Sequence, residues 1–203
     1  MVGAGPLLDL LGRQRCARCL AGAGPLCPGC LVTLPPATPR QVPGLSRIIV
    51  PLAYEGAARA LVLDLKLRGR RDAAAPLAEA MGAAVAAQGL AGDVLAWVPA
   101  RRADVRARGF DHAQELAHAL ESRLGMPALS LLRRVGRARP DQAGLTARER
   151  GRNLRGAFAA RRSPPRVVVV DDLVTTGATL RACATSLRRS GAVQIEAVVA
   201  CGA

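Results

Sequence analysis

Four consecutive valines, Val167 to Val170, run into two adjacent acids, Asp171 and Asp172, and then through Leu173 and Val174 into Thr175-Thr176-Gly177-Ala178-Thr179-Leu180. Each part of this run has a chemical use. The carboxyl end of a buried strand opens into the crevice where parallel sheets bind ligands. The backbone N–H groups that begin a helix, with its positive dipole end, suit a phosphate dianion. Gly177 lets the backbone approach closely, and Thr175, Thr176 and Thr179 add hydroxyls. Asp171 and Asp172 would repel a phosphate, so their sensible ligands are vicinal hydroxyls, with help in holding a metal. Asp and Thr also cap ordinary strand–helix turns. Two adjacent acids after four valines, followed by Thr-Thr-Gly-x-Thr, exceed what a cap requires.

A second group follows another short apolar run. After Val94 to Val98 and Pro99 come Arg101, Arg102, Arg106 and Arg108, read here as a loop that ends at a capped helix. In a parallel sheet this loop opens on the same edge as Asp171. Clustered guanidinium forks are what a diphosphate needs, although a run of charge is as often a solvated surface. Lys66 is the only lysine in an arginine-rich chain. It is either retained for its compact ammonium or a chance surface residue.

Four cysteines form two C-x-x-C pairs, Cys16/Cys19 and Cys27/Cys30, seven residues apart. Four thiolates are the closed tetrahedral set of a structural zinc site. The intervening Gly22, Gly24 and Pro25 allow the chain to turn back. So short a segment buries little core, so Zn2+ would supply its folding energy. An iron–sulfur centre could use the same ligands, and disulfides belong to oxidising compartments. Cys183 and Cys201 read as buried small apolar residues. His118 reads as surface or core rather than a ligand, and His112 as either.

These groups need elements to hold them. The Pro-rich stretch from Leu34 to Gly44 marks a linker, dividing a zinc module with its linker (1–43) from an α/β domain (44–203). Residues 47–54 read as an edge strand, 56–68 and 73–88 as helices, and 94–98 as a buried strand. A helix spans 112–124, with Asp111 as N-cap, Gln114 three residues on, and Ala113, Leu116, Ala117, Leu120 and Leu124 on one face. Residues 128–132 read as a further strand, 133–162 as a long Arg-rich connector, 167–170 as a strand, 177–189 as a helix and 193–200 as the last strand. Alternation of this kind gives a mostly parallel sheet with helices on both faces.

Composition narrows the partners. The formal charge of +14 over 203 residues calls for an anion. Only Tyr54, Trp97, Phe110 and Phe158 could offer a ring to a base, whereas sequence-tolerant single-strand binding uses several stacking platforms. The charge therefore fits phosphate better than bases. No apolar run approaches the ~20 residues of a spanning helix, and the N-terminus is a poor signal peptide, so the expected location is cytoplasmic.

The run 167–180 resembles the PRPP-binding motif of type I phosphoribosyltransferases almost position by position. Arg108-Gly109-Phe110 resembles the Arg-Gly-Phe-Asn-Gln signature of the ComF family, with Asp111-His112 in place of Asn-Gln. Leu65-Lys66-Leu67-Arg68-Gly69 resembles that family's Lys-Phe-x-Gly element. Gln142, Arg148, Arg150, Asn153 and Phe158 follow its pattern in the long connector. With the cysteine pairs, the resemblance to ComF and GntX-like proteins covers nearly the whole chain. It implies a type I phosphoribosyltransferase-like domain preceded by a small four-cysteine zinc module. Asp171 and Asp172 would hold the ribose 2- and 3-hydroxyls, and the backbone from Val174 through Thr175, Thr176, Gly177 and Ala178 to Thr179 would wrap the 5-phosphate. Lys66, Arg101, Arg102, Arg106 and Arg108, with Gln142, Arg148, Arg150 and Asn153 in a closing loop, are candidates for the diphosphate. The ligand would be PRPP or a related phosphorylated ribose with Mg2+. The family is also associated with DNA uptake in natural transformation, which would make single-stranded DNA or a DNA-uptake helicase a partner. Two functions follow: phosphoribosyl transfer to an unknown acceptor, or nucleotide or single-stranded DNA binding without chemistry.

Overall fold

The computed structural model describes residues 16–20, 24–135, 154 and 156–203. Its centre is a parallel sheet built around β6 (Arg166–Val174) and β7 (Gln194–Gly202). On one side β7 pairs with β1 (Arg47–Ile49) and then β2 (Leu52–Ala53), one edge strand interrupted at Val50-Pro51. On the other side β6 pairs with β3 (Val94–Trp97). Ala128 bridges Leu95 beyond β3, so the stretch expected as a strand at 128–132 contributes a single bridge there.

Side chains on β6 alternate between two cores. Val168 and Val170 face three helices, α2 (Gly56–Leu67), α3 (Ala74–Gln88) and α5 (His112–Leu124). Val167 and Val169 face α6 (Ala178–Arg189) and an antiparallel ribbon of β4 (Leu132–Arg134) with β5 (Phe158–Ala160). A strand buried on both faces must be apolar throughout, which is why its sequence is a run of valine and not an alternation. The helices follow the same logic. Leu180, Cys183, Ala184 and Leu187 are the buried stripe of α6, and Ala113, Leu116, Ala117 and Leu120 that of α5. The doubly covered parallel sheet expected from the sequence is the architecture observed.

Two expectations about local structure are corrected. Strand β6 does not end at Val170: it stays paired with β7 through Val174, so Asp171 and Asp172 lie inside the strand. The arginine segment is not a loop but α4 (Arg102–Arg108), a two-turn helix with no buried residue. Ala and Arg favour helix, and the left-handed Gly109 (φ 82) ends it. Asp111 does cap α5: Oδ1 accepts from Ala113 N at 3.1 Å, and Oδ2 accepts from Ala100 N at 2.7 Å, tying the cap to the turn after β3. Gln114 makes its described contact with His118 and not back to the cap.

At the N-terminal end, α1 (Pro28–Leu31) starts after its N-cap Cys27 and carries Cys30, so the second cysteine pair spans its first turn. Cys16, Leu26 and Leu31 are buried in the first core. The expected linker is held closely: Ala53 N donates to Pro35 O at 2.9 Å, and Ala37 N donates to Pro51 O at 3.2 Å.

Candidate functional site

Strand pairing carries Asp171 and Asp172 to the carboxyl edge of the sheet with both side chains buried. The Asp171 carboxylate accepts from Asp172 N at 3.0 Å. Asp172 meets side chains from two helices of the first core. Lys66, in the last turn of α2, brings Nζ to 3.2 Å from Oδ2, and His112, at the start of α5, brings Nε2 to 3.6 Å from Oδ1. Neither contact gives Oδ2 a well-directed hydrogen bond, so this buried oxygen remains unsatisfied. A ligand hydroxyl is a donor of the kind it lacks.

The two acids titrate in opposite directions. Burial pushes the Asp171 carboxyl up to about 7, with the charge of Asp172 adding to it. For Asp172 burial acts the same way, but His112 and Lys66 outweigh it and hold the group well below the usual carboxylate range. Burial disfavours charge on Lys66 as well, and the two carboxylates overcome it, so the ammonium persists. One carboxylate is thus fixed in charge and its neighbour is poised near neutrality.

Arg108 ties these partners together. Its Nη1 donates to the Lys66 carbonyl and Nη2 lies 3.3 Å from His112 Nδ1. A guanidinium only donates. Nδ1 is therefore the acceptor, and the remaining imidazole proton sits on Nε2, facing Asp172. Burial opposes a second proton on His112, while Asp172 and Asp171 draw its pKa up. The ligand atoms of His112, Asp171 and Asp172 lie within 4.8 Å of one another, a spacing open to a cation. With Nδ1 accepting from Arg108, the Nε2 proton of His112 faces Asp172 Oδ1 at 3.6 Å, a polar contact longer than a hydrogen bond.

Past Asp172 the chain makes the cradle. Residues Val174 to Thr179 and Asp171 line a solvent-open cavity of about 40 Å3 at the N-terminus of α6. One water centre takes ~10–15 Å3, so the space admits only a small group. Gly177 caps the helix with φ 70, a left-handed conformation that side chains rarely adopt. The first-turn amides of α6 have no intrahelical acceptor. Thr175 and Thr176 are exposed, and Thr176 Oγ1 accepts from Ala178 N at 3.4 Å.

The sequence-predicted arginines separate. Arg108 joins the acid network; Arg101 is half-buried ahead of α4; Arg102 and Arg106 are exposed on that helix. Gln142, Arg148, Arg150 and Asn153 lie outside the described residues. Lys66 is placed on Asp172. His112, which the sequence left open, is in the same network; its signal was position, two residues after the Arg-Gly-Phe element. Arg40, which makes three hydrogen bonds around the cradle, carried no signal in the sequence. Of the four aromatic residues, Trp97, Phe110 and Phe158 are buried and Tyr54 is half-buried, so no ring stands free to stack on a base.

The four N-terminal sulfurs converge as their spacing implied: Cys16, Cys19, Cys27 and Cys30 bring Sγ atoms within 4.8 Å of one another. Cys27 N donates to Cys16 Sγ at 3.4 Å. Burial raises the Cys16 thiol, but the amides of Cys19, Cys27 and Arg18 outweigh it and lower its pKa to about 6. Cys30 is pushed up to about 12, first by its hydrogen bond with Cys27. The amides around Cys16 favour its thiolate, the form in which a sulfur ligates a cation. Four sulfurs with no oxygen donor suit a thiophilic metal.

Fold and site together define a parallel α/β protein whose central strand delivers two buried acids and a helix N-terminal loop to one edge, joined to an N-terminal cluster of four cysteines. The chain belongs to the ComF family. It is 32% identical over 199 residues to DNA utilization protein YhgH of Salmonella typhimurium, an alignment covering 92% of this chain and 88% of that protein. It is 34% identical over 94 residues to competence protein F of Haemophilus influenzae, covering 44% of this chain and 41% of that protein. No family model matches the chain. Among solved structures, it is similar to an allosteric regulatory enzyme of purine biosynthesis (TM-score 0.47, 18% identity, 68% of this chain and 30% of that one). It is also similar to glutamine PRPP amidotransferase from B. subtilis complexed with ADP and GMP (TM-score 0.45, 19% identity, the same coverage). Among the described residues no helix is long and apolar enough to cross a membrane.

Proposed function

We propose that this chain binds PRPP or a related phosphorylated ribose at the carboxyl edge of β6, with Zn2+ held by Cys16, Cys19, Cys27 and Cys30 in a structural role. The observation that carries the reading is the continuity of one buried strand into two unlike acids and then into the cradle at the α6 N-terminus. The cradle takes the 5-phosphate through backbone amides and the hydroxyls of Thr175, Thr176 and Thr179. The ionised Asp172, unsatisfied at Oδ2, accepts from one ribose hydroxyl, and Asp171 accepts from its neighbour. Lys66 and His112 keep Asp172 charged, and Arg108 sets the orientation of both. Bound with such a ligand, Mg2+ would neutralise the diphosphate. Arg101, Arg102 and Arg106 supply further positive charge from α4 as a diphosphate departs. Transfer of phosphoribosyl to an acceptor is the enzymatic form of this reading.

A second reading, single-stranded DNA binding without chemistry, is favoured by the exposed Arg102 and Arg106 and the net charge of +14. The names of the relatives, competence protein F and DNA utilization protein, point the same way. Calorimetric titration of PRPP with Mg2+ separates the readings. The wild type should bind, and Asp171→Asn/Asp172→Asn should lose at least ~100-fold in affinity, because the ribose hydrogen bond to the charged Asp172 and the one to its neighbour are both altered. A folded, metal-loaded wild type that ignores PRPP rejects the reading. Salt-sensitive DNA binding retained in the double variant would transfer the weight to the second.

A further inference from the structure

Arg40 lies in the Pro-rich segment between the cysteine module and β1, far in sequence from any candidate site, yet its guanidinium is wedged beneath the cradle. Nη1 donates to Val174 O at 3.0 Å, which also accepts from Ala203 N at 3.0 Å, and to Thr175 O at 3.1 Å, and Nη2 donates to Ala203 O at 3.2 Å. Nε is buried with no partner. Two glycines clear the way. A Cβ on Gly202 would stand 2.7 Å from Arg40 Nη2, and a Cβ on Gly177 would stand 2.7 Å from Val42 Cγ2. Val42 itself is buried in the second core beside Val174 and Leu180. The segment 40–42 thus occupies space that glycine alone leaves open, directly behind the residues lining the cavity.

We infer that Arg40 is a positioning residue of the cradle: by holding the carbonyls of Val174 and Thr175 on the inner side, it turns the amides of the following residues toward the ligand. Consecutive peptide units are planar. Fixing two successive carbonyls fixes the direction of the N–H groups of Thr175 and Thr176, which leave the same peptide planes on the opposite side. The loop is then preorganised before a ligand arrives, which is where affinity for a small anion is gained. One nitrogen, Nη1, spans both loop carbonyls while Nη2 of the same rigid fork holds Ala203 O; an ammonium, a point donor, reaches the two loop carbonyls without the third anchor. The half-buried positive charge behind the loop adds attraction for an anion in front of it. The segment that carries Arg40 also joins the cysteine module to the sheet, so the cradle is braced by the part of the chain that leads to the metal site.

This rests on reading residues 174–179 as a phosphate cradle, and the test separates the two. Amide hydrogen exchange of the ligand-free, metal-loaded full chain is compared for wild type, Arg40→Met and Arg40→Lys. Exchange in a peptide covering 173–180 should rise at least ~10-fold in Arg40→Met and less in Arg40→Lys, with α5 peptides unchanged. Ribose 5-phosphate affinity, by calorimetry, should fall ~10-fold or more in Arg40→Met, with partial recovery in Arg40→Lys. Unchanged exchange in a folded Arg40→Met overturns the inference. So does raised exchange with wild-type affinity. If Arg40→Met does not fold, Arg40→Lys decides by the same two readouts. A wild type that binds no ribose 5-phosphate, with exchange still governed by Arg40, rejects the phosphate reading and leaves Arg40 as an anchor of the loop.

Discussion

The acid edge and the cysteine cluster are both sets of polar groups brought together from separate places, yet they are supported in opposite ways. Asp171 and Asp172 sit at the end of a strand whose flanks are valine on both faces, and their partners Lys66 and His112 come from helices packed on the same core. The sheet would exist without them. The sulfurs of Cys16, Cys19, Cys27 and Cys30 belong to a short turn and a one-turn helix, with Cys16, Leu26 and Leu31 their few buried anchors. Cys19 is exposed, and Cys27 and Cys30 are half-buried. A fold that is formed first can hold an electrostatically costly group; a segment with almost no core needs its ligand in order to fold.

The largest effect that would break this comparison is metal removal. Structural zinc supplies an apparent ~10–16 kcal/mol in small zinc modules, far more than the apolar contacts of residues 16–31 provide. Chelation, or Cys27→Ser, should abolish tight stoichiometric metal binding and raise amide exchange across 16–31 to nearly unprotected rates. Exchange in β6 and α5 should stay protected. A sheet that unfolds together with the module would show the two regions to be one cooperative unit.

A smaller effect belongs to Lys66. Lys66→Met leaves Asp172 charged, buried and short of one partner. Breaking a fully buried ion pair costs ~3–5 kcal/mol. Because the Lys66 side chain is 38% exposed and screened by water, the loss should lie below that range. The unfolding midpoint in urea reads it. The metal content of the cysteine cluster should be untouched, and Lys66→Arg should recover part of the loss. An unchanged midpoint would mean that water already serves Asp172 in place of the ammonium.

The same contrast explains how much was legible in the sequence. A fully buried parallel strand has to be written in apolar residues, so β6 and its two acids stood out, and the cysteine spacing announced its own geometry. What escaped was set by packing at long range. That Asp171 and Asp172 remain in the strand depends on pairing with Val199 and Cys201 of β7. That Lys66 and His112 meet Asp172 depends on how α2 and α5 lie on the sheet. Arg40 escaped because its partners are backbone carbonyls 134 and 135 residues away, and a carbonyl leaves no mark in sequence. The arginine segment was read as a loop because charge was given more weight than the helix propensity of Ala and Arg.

The smallest effect, and the one that sharpens the comparison most, is its dependence on pH. An unfolded aspartate titrates near 3.9, while burial, helped by Asp172, lifts Asp171 to about 7. Between these values the native state binds a proton that the unfolded chain has released. Stability therefore falls as pH rises through this window, by up to ~1.4 kcal/mol per unit from this one group. His112, also raised, pulls the same way: its contribution is complete below ~6.5 and is lost as pH climbs through its folded value. Asp172, depressed, contributes above ~3.9 and loses that contribution only in stronger acid. The cysteine cluster has the reverse sense, because thiolates give up metal as pH falls. Trp97, the single tryptophan, lies buried in β3 with its ring centroid 5.7 Å from that of His118 on α5, and reports the sheet together with that helix. Its urea midpoint should decline from pH 5 to pH 7 in the wild type, and the decline should flatten in Asp171→Asn, while metal release in both proteins grows toward low pH. A flat wild-type profile would mean that Asp171 is already ionised at pH 5, and that the sheet carries two full charges at its edge rather than one charge and one proton.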